Sequence, residues 1–99
     1  MDDLDKLAEM FKVFSDATRL KLVKLLATHD GALCVNALAC RLGVTQSAVS
    51  QHLRILRQAN LVESDRQGTF VHYALNRDTL TSFKTMLLEK LGEEFVIIK

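Results

Sequence analysis

Ser47, Ser50, Gln51 and Arg54 stand three or four residues apart, the spacing that brings side chains onto one face of a helix. Their chemistry suits the edges of stacked bases. Glutamine can make paired hydrogen bonds to adenine and arginine to guanine or phosphate, while two short serines let a helix backbone approach closely. Thr45 and Gln46 precede them at a helix start, where exposed backbone N–H groups favour phosphate. Arg57 extends the set along the same segment, and His52, which alternates with these residues, would support the helix or touch DNA. A second cluster, Arg66, Gln67 and Thr69, surrounds Gly68 and would sit at the tip of a hairpin, within reach of an adjacent groove. Taken alone, such a polar helix face is also what any solvated surface helix displays, so the elements around it decide the reading.

Those elements follow from hydrophobic period and from glycine, since the chain has no proline. Leu4, Leu7, Met10, Phe11 and Phe14 recur at helical spacing behind Asp2, Asp3 and Asp5, which suit a helix N-terminus. Ser15 or Asp16 can cap a second helix to about Thr28, apolar except for a strip of Lys21, Lys24 and Thr28. A short helix over 36–42 ends at Gly43, placed as a left-handed C-cap. Thr45 can then cap a helix to about Asn60 whose Ala48, Val49, Leu53, Leu56 and Ala59 oppose the polar set.

Beyond Asn60 the period changes to two on either side of Gln67-Gly68, the signature of a β-hairpin running to Leu75. Helical spacing returns with Leu80, Phe83, Leu87 and Leu91 behind a cap at Asp78 or Thr79, followed by an apolar tail from Phe95 to Ile98. The expected fold is mainly α with a β-hairpin wing, a winged helix-turn-helix in the order α-α-α-α-β-β-α, as one domain over residues 1–99.

Composition narrows the setting. The chain has 99 residues, 48% of them hydrophobic, enough for a small core with apolar surface left for a second copy to cover. The net charge of +1 hides a local excess. Residues 31–77 carry five arginines against two acids, giving +3, while 1–30 (five basic, six acidic) and 78–99 (three basic, four acidic) are each at −1. Arg41, Arg54, Arg57, Arg66 and Arg77 supply that excess. No apolar run is long enough for a bilayer and no leader pattern opens the chain, so the expected location is the cytoplasm, with no membrane partner. No nucleophile, base and oxyanion-donor set can be recognised, which argues against an enzyme.

The runs Phe14-Ser15-Asp16-Ala17-Thr18-Arg19-Leu20, Leu42-Gly43-Val44-Thr45-Gln46-Ser47-Ala48-Val49-Ser50-Gln51-His52-Leu53-Arg54-Ile55-Leu56 and Ala59-Asn60-Leu61-Val62, ahead of a glycine-turn wing, resemble the ArsR/SmtB family of bacterial metal-sensing repressors. The resemblance spans roughly residues 7–91. It implies a homodimer seamed by the first and last helices through Leu4, Leu7, Phe11, Leu80, Phe83, Leu87 and Leu91, with 45–60 as recognition helix in the major groove of double-stranded operator DNA. It also implies a promoter repressed until an inducer lowers DNA affinity.

The family's sensor motifs are incomplete here. Where it often carries Cys-x-Cys, this chain reads Cys34-Val35-Asn36, and a neutral amide is a poor ligand for ions that thiolates select. The final helix, where other members place Asp-x-His, reads Asp78-Thr79-Leu80 and holds no histidine. Cys34 and Cys40 are the two thiols that could take a thiophilic metal ion or act as a redox switch. The plainer reading is that each packs as a small hydrophobe. His29, His52 and His72 fall on separate elements, with His72 expected at an exposed strand position. The signal that would release the protein from DNA stays unassigned, and a protein-interaction module built on the same fold is the alternative.

Overall fold

The computed structural model describes residues 2–92. The chain forms α1 (Asp3–Phe14), α2 (Ala17–Thr28), β1 (Leu33–Cys34), α3 (Val35–Leu42), α4 (Gln46–Gln58), β2 (Val62–Gln67), β3 (Phe70–Leu75) and α5 (Arg77–Leu91). The expected winged helix-turn-helix is present. The tail from Phe95 to Ile98 lies outside the described residues.

Each helix starts at a side chain able to satisfy its unpaired amides, except α3. Asp2 and Asp5 form a reciprocal capping box at α1, Asp16 accepts from the Arg19 N–H at α2, and Thr45 accepts from the Ala48 N–H at α4. At α3 the N-cap position falls on Cys34, which makes no such bond. α5 corrects the expectation of a cap at Asp78 or Thr79: Asn76 accepts from the Thr79 N–H instead, and the helix begins two or three residues earlier. Gly43 ends α3 at φ 67° and ψ 33°, the left-handed geometry that favours glycine at a tight stop before α4.

The sheet differs from a bare hairpin. β1 adds a third antiparallel strand, giving the order β1-β3-β2, with Leu33 opposite Tyr73 and Cys34 opposite His72. β2 pairs with β3 from Val62 opposite Leu75 to Gln67 opposite Phe70, so Gly68 and Thr69 form the turn and not Gln67 and Gly68. Directly opposed residues project to the same face. Leu33, Tyr73 and Ser64 therefore share one face, and Cys34, His72 and Asp65 share the other. This central placement corrects the expected exposure of His72. The residue is half-buried, and its Nδ1 is shielded without a hydrogen-bond partner among the described residues.

Leu22, Leu26, Leu38, Val49, Leu53, Leu56, Leu61 and Val62 build the core where α2, α3, α4 and the base of the hairpin meet. The buried face of α4 is the one its periodicity marks, so its opposite face must point outward. α1 and α5 pack together to one side. Phe83 of α5 makes an edge contact with Phe11 at 5.5 Å between centroids and stacks on Phe14 at 5.4 Å, and Lys90 Nζ lies 3.2 Å from Asp3 Oδ2.

Leu7 corrects the expected seam. It is 3% exposed and faces Phe83 and Met86 across the α1/α5 contact, so it is consumed inside the subunit. Leu4, Phe11 and Leu91 remain exposed, while Leu80, Phe83 and Leu87 are half-buried. No helix among the described residues is long and apolar enough to cross a membrane.

Candidate nucleic-acid interface

α4 presents its polar residues as its cap and core contacts require. Val49, Leu53 and Leu56 fix the rotation of the helix about its axis, which leaves Ser47, Ser50, Gln51, Arg54 and Arg57 exposed on the far side. None of these five is engaged in an internal hydrogen bond or ion pair among the described residues. They are available to an external partner.

Two neighbours at the start of the helix are already used. The Thr45 hydroxyl accepts from Ala48 N–H at 3.1 Å as the cap, and Gln46 donates through Nε2 to Asn36 Oδ1 at 3.1 Å. Both residues are exposed at their outer edges and stand at the positive end of the helix dipole.

His52 stands apart from the polar face, in the position of a helix support. It is half-buried and turned toward α2, with Nδ1 3.2 Å from Arg19 Nη1 and 3.8 Å from Asp16 Oδ1. Asp16 is held below the ordinary carboxylate range, chiefly because its carboxylate accepts the backbone N–H of Arg19. Burial opposes this, and smaller electrostatic effects of His52 and Arg19 add to the lowering.

The wing lies beside this helix. Arg66, Gln67 and Thr69 are exposed around Gly68, which adopts φ +66°. Between the hairpin and α4 a cleft of about 420 Å³ is lined by Ser50, Leu53, Arg54, Arg57, Gln58 and Tyr73. Two arginines one turn apart thus border a groove whose opposite wall is the wing strand β3. Tyr73 was not singled out from the sequence, where it reads as one more alternating strand residue. Its place in the cleft follows from the sheet face that it shares with Leu33.

The two thiols are not brought together as a site. Cys34 ends β1 and is half-buried opposite His72, while Cys40 lies on α3, exposed, with Sγ 3.9 Å from Asn36 Oδ1. No group of three or more histidine, cysteine, aspartate or glutamate side chains suited to a metal ion occurs among the described residues.

Comparison with known proteins places these features in context. Residues 16–64, from the cap of α2 into β2, match the model described as bacterial regulatory protein, arsR family. An uncharacterized HTH-type transcriptional regulator of Methanocaldococcus jannaschii is 40% identical over 78 residues, covering 79% of this chain and 86% of that protein. A transcriptional repressor SmtB homolog of Synechocystis is 43% identical over 75 residues, covering 76% of this chain and 55% of its own length. The chain thus spans little more than half of that second relative. Among solved structures, the homodimeric winged helix-turn-helix DNA-binding domain of a possible ArsR-family regulator of Mycobacterium bovis superposes with a TM-score of 0.71. The identity is 27%, over 97% of this chain and 88% of that one.

Proposed function

Because the chain belongs to the arsR family of bacterial regulatory proteins, we propose that it is a homodimeric repressor that reads operator DNA through the outer face of α4. The carrying observation is the set Ser47, Ser50, Gln51, Arg54 and Arg57, five exposed polar side chains on one helix with no internal partner among the described residues. α4 lies in the major groove, its N-terminus toward a phosphate through Thr45 and Gln46, and the wing tip of Arg66, Gln67 and Thr69 meets the flanking backbone or groove. Leu4 and Phe11 of α1 and Leu91 of α5 cover one another across the two-fold axis, with Leu80, Phe83 and Leu87 behind them.

Base contacts specify and phosphate contacts position, so the two should separate experimentally. A duplex is first selected from random sequence by the protein itself, and Gln51→Ala and Arg54→Ala are titrated against it and against single-base variants. Each substitution should cost about 1–3 kcal/mol on the selected duplex and relax preference at one position. Undiminished affinity in both would remove α4 from the groove.

A further inference from the structure

Arg19 lies on α2, outside the recognition helix, yet its guanidinium joins three helices. Nε donates to the Val13 carbonyl at 2.8 Å and Nη2 to the Lys12 carbonyl at 3.5 Å, both in the last turn of α1, the second shared with the N–H and hydroxyl of Ser15. Nη1 points the other way, to His52 Nδ1 at 3.2 Å on α4. The Arg19 side chain is 15% exposed and that of His52 22%, so the contact is largely sheltered from solvent. Asp16, the cap of α2, completes the group: Oδ2 stands 3.9 Å from Arg19 Nη1 and Oδ1 3.8 Å from His52 Nδ1.

We propose that Arg19 and His52 form a positioning bracket that fixes the rotation of the recognition helix relative to α1, and hence relative to the second subunit of the dimer. Arginine has the right geometry for this task, since its planar fork offers five N–H donors in fixed directions and no acceptor. A donor without lone pairs can bond His52 Nδ1 only when that nitrogen carries no proton, so the bracket selects the ring tautomer with its proton on Nε2. His52 follows Gln51 directly and precedes Arg54 by two residues. Turning α4 by a few degrees moves both contact side chains along the bases without changing the charge offered to the backbone. The bracket therefore acts on sequence discrimination, and non-specific attraction to phosphate is left intact.

This inference rests on the DNA-binding reading above, and two measurements keep them distinguishable. The first compares affinity for a duplex selected by the unmodified protein with affinity for an unrelated duplex of the same length. Arg19→Met keeps the aliphatic stem and removes the fork, while His52→Leu removes the acceptor. Each should lower the ratio of the two affinities about tenfold, with the unrelated duplex bound as before. His52→Asn restores an acceptor oxygen at the place of Nδ1 and should keep the ratio within about threefold. The second measurement is the ¹⁵N–¹H correlation of the His52 ring without DNA, which should show the Nε2–H tautomer in the unmodified protein and a mixture in Arg19→Met.

Equal losses on both duplexes, an unchanged ratio in folded Arg19→Met, or a tautomer insensitive to Arg19 would each overturn the bracket. Should Arg19→Met fail to fold, the contrast between His52→Leu and His52→Asn decides the matter. A protein that selects no duplex at all overturns the DNA reading, and the ring spectrum still judges the bracket.

Discussion

Gln46 reaches back across the turn of the helix-turn-helix and donates its Nε2 proton to Asn36 Oδ1 at 3.1 Å. Asn36 holds the position at which the resembled family often has its second metal-binding cysteine, and in this chain the amide there braces α3 against α4. An exposed neutral bond of this kind contributes about 0.5–1.5 kcal/mol. Asn36→Ala should lower stability by that amount in urea unfolding, and adding Gln46→Ala should cost little more. Additive losses in the double variant would mean that the two residues are not coupled.

Leu7 and Phe11 lie one helical turn apart and should behave oppositely. Leu7 is buried inside the subunit, so Leu7→Ala leaves a cavity and should cost about 3 kcal/mol of folding stability. Phe11 is 41% exposed beside Phe83, and Phe11→Ala should weaken dimerisation by about 2 kcal/mol. Sedimentation equilibrium and denaturant unfolding separate the two effects. A Phe11 variant as dimeric as its parent would place the seam elsewhere.

Asp16 gives the fold an acid-sensitive cap. Its carboxyl is held below the usual range in the folded state, first by the Arg19 backbone N–H. A depressed carboxylate contributes stability that is complete above the unfolded value of about 3.9 and is lost as the pH falls through the folded value. Asp16→Asn keeps a capping oxygen but cannot ionise. The difference in stability between parent and variant should therefore be constant at neutral pH and shrink below about pH 4. A difference independent of pH down to the acid limit would show that the charge contributes nothing.

Arg57 and Arg66 flank the α4 and wing contacts without internal partners among the described residues. If each meets a phosphate, its replacement by alanine should reduce the slope of log affinity against log salt by about one and weaken every duplex alike. Loss confined to one sequence would instead make the residue a base reader.

Much of the interface was legible because it obeys local rules. The apolar period of α4, the Thr45 cap and the Gly43 stop are each readable within a few residues, and together they fix which face of the helix turns outward. β1 was not legible, since two residues have no period, and its strand exists only because β3 offers an edge. The cap of α5 was misplaced by two or three residues because Asn76, Asp78 and Thr79 all have capping side chains, and the end of β3 chooses among them. Whether His52 would support the helix or touch DNA was not legible, since its orientation depends on Arg19, 33 positions earlier. No window of sequence contains that bond.

The short pairing of Leu33 and Cys34 with Tyr73 and His72 anchors the base of the hairpin. A two-stranded ribbon is marginal in water, whereas three strands seated on an apolar layer are better able to hold their shape. If the wing meets DNA as proposed, a hairpin stitched at its base to the segment that leads into α3 arrives with its spacing from α4 largely set, and less conformational entropy is lost on contact.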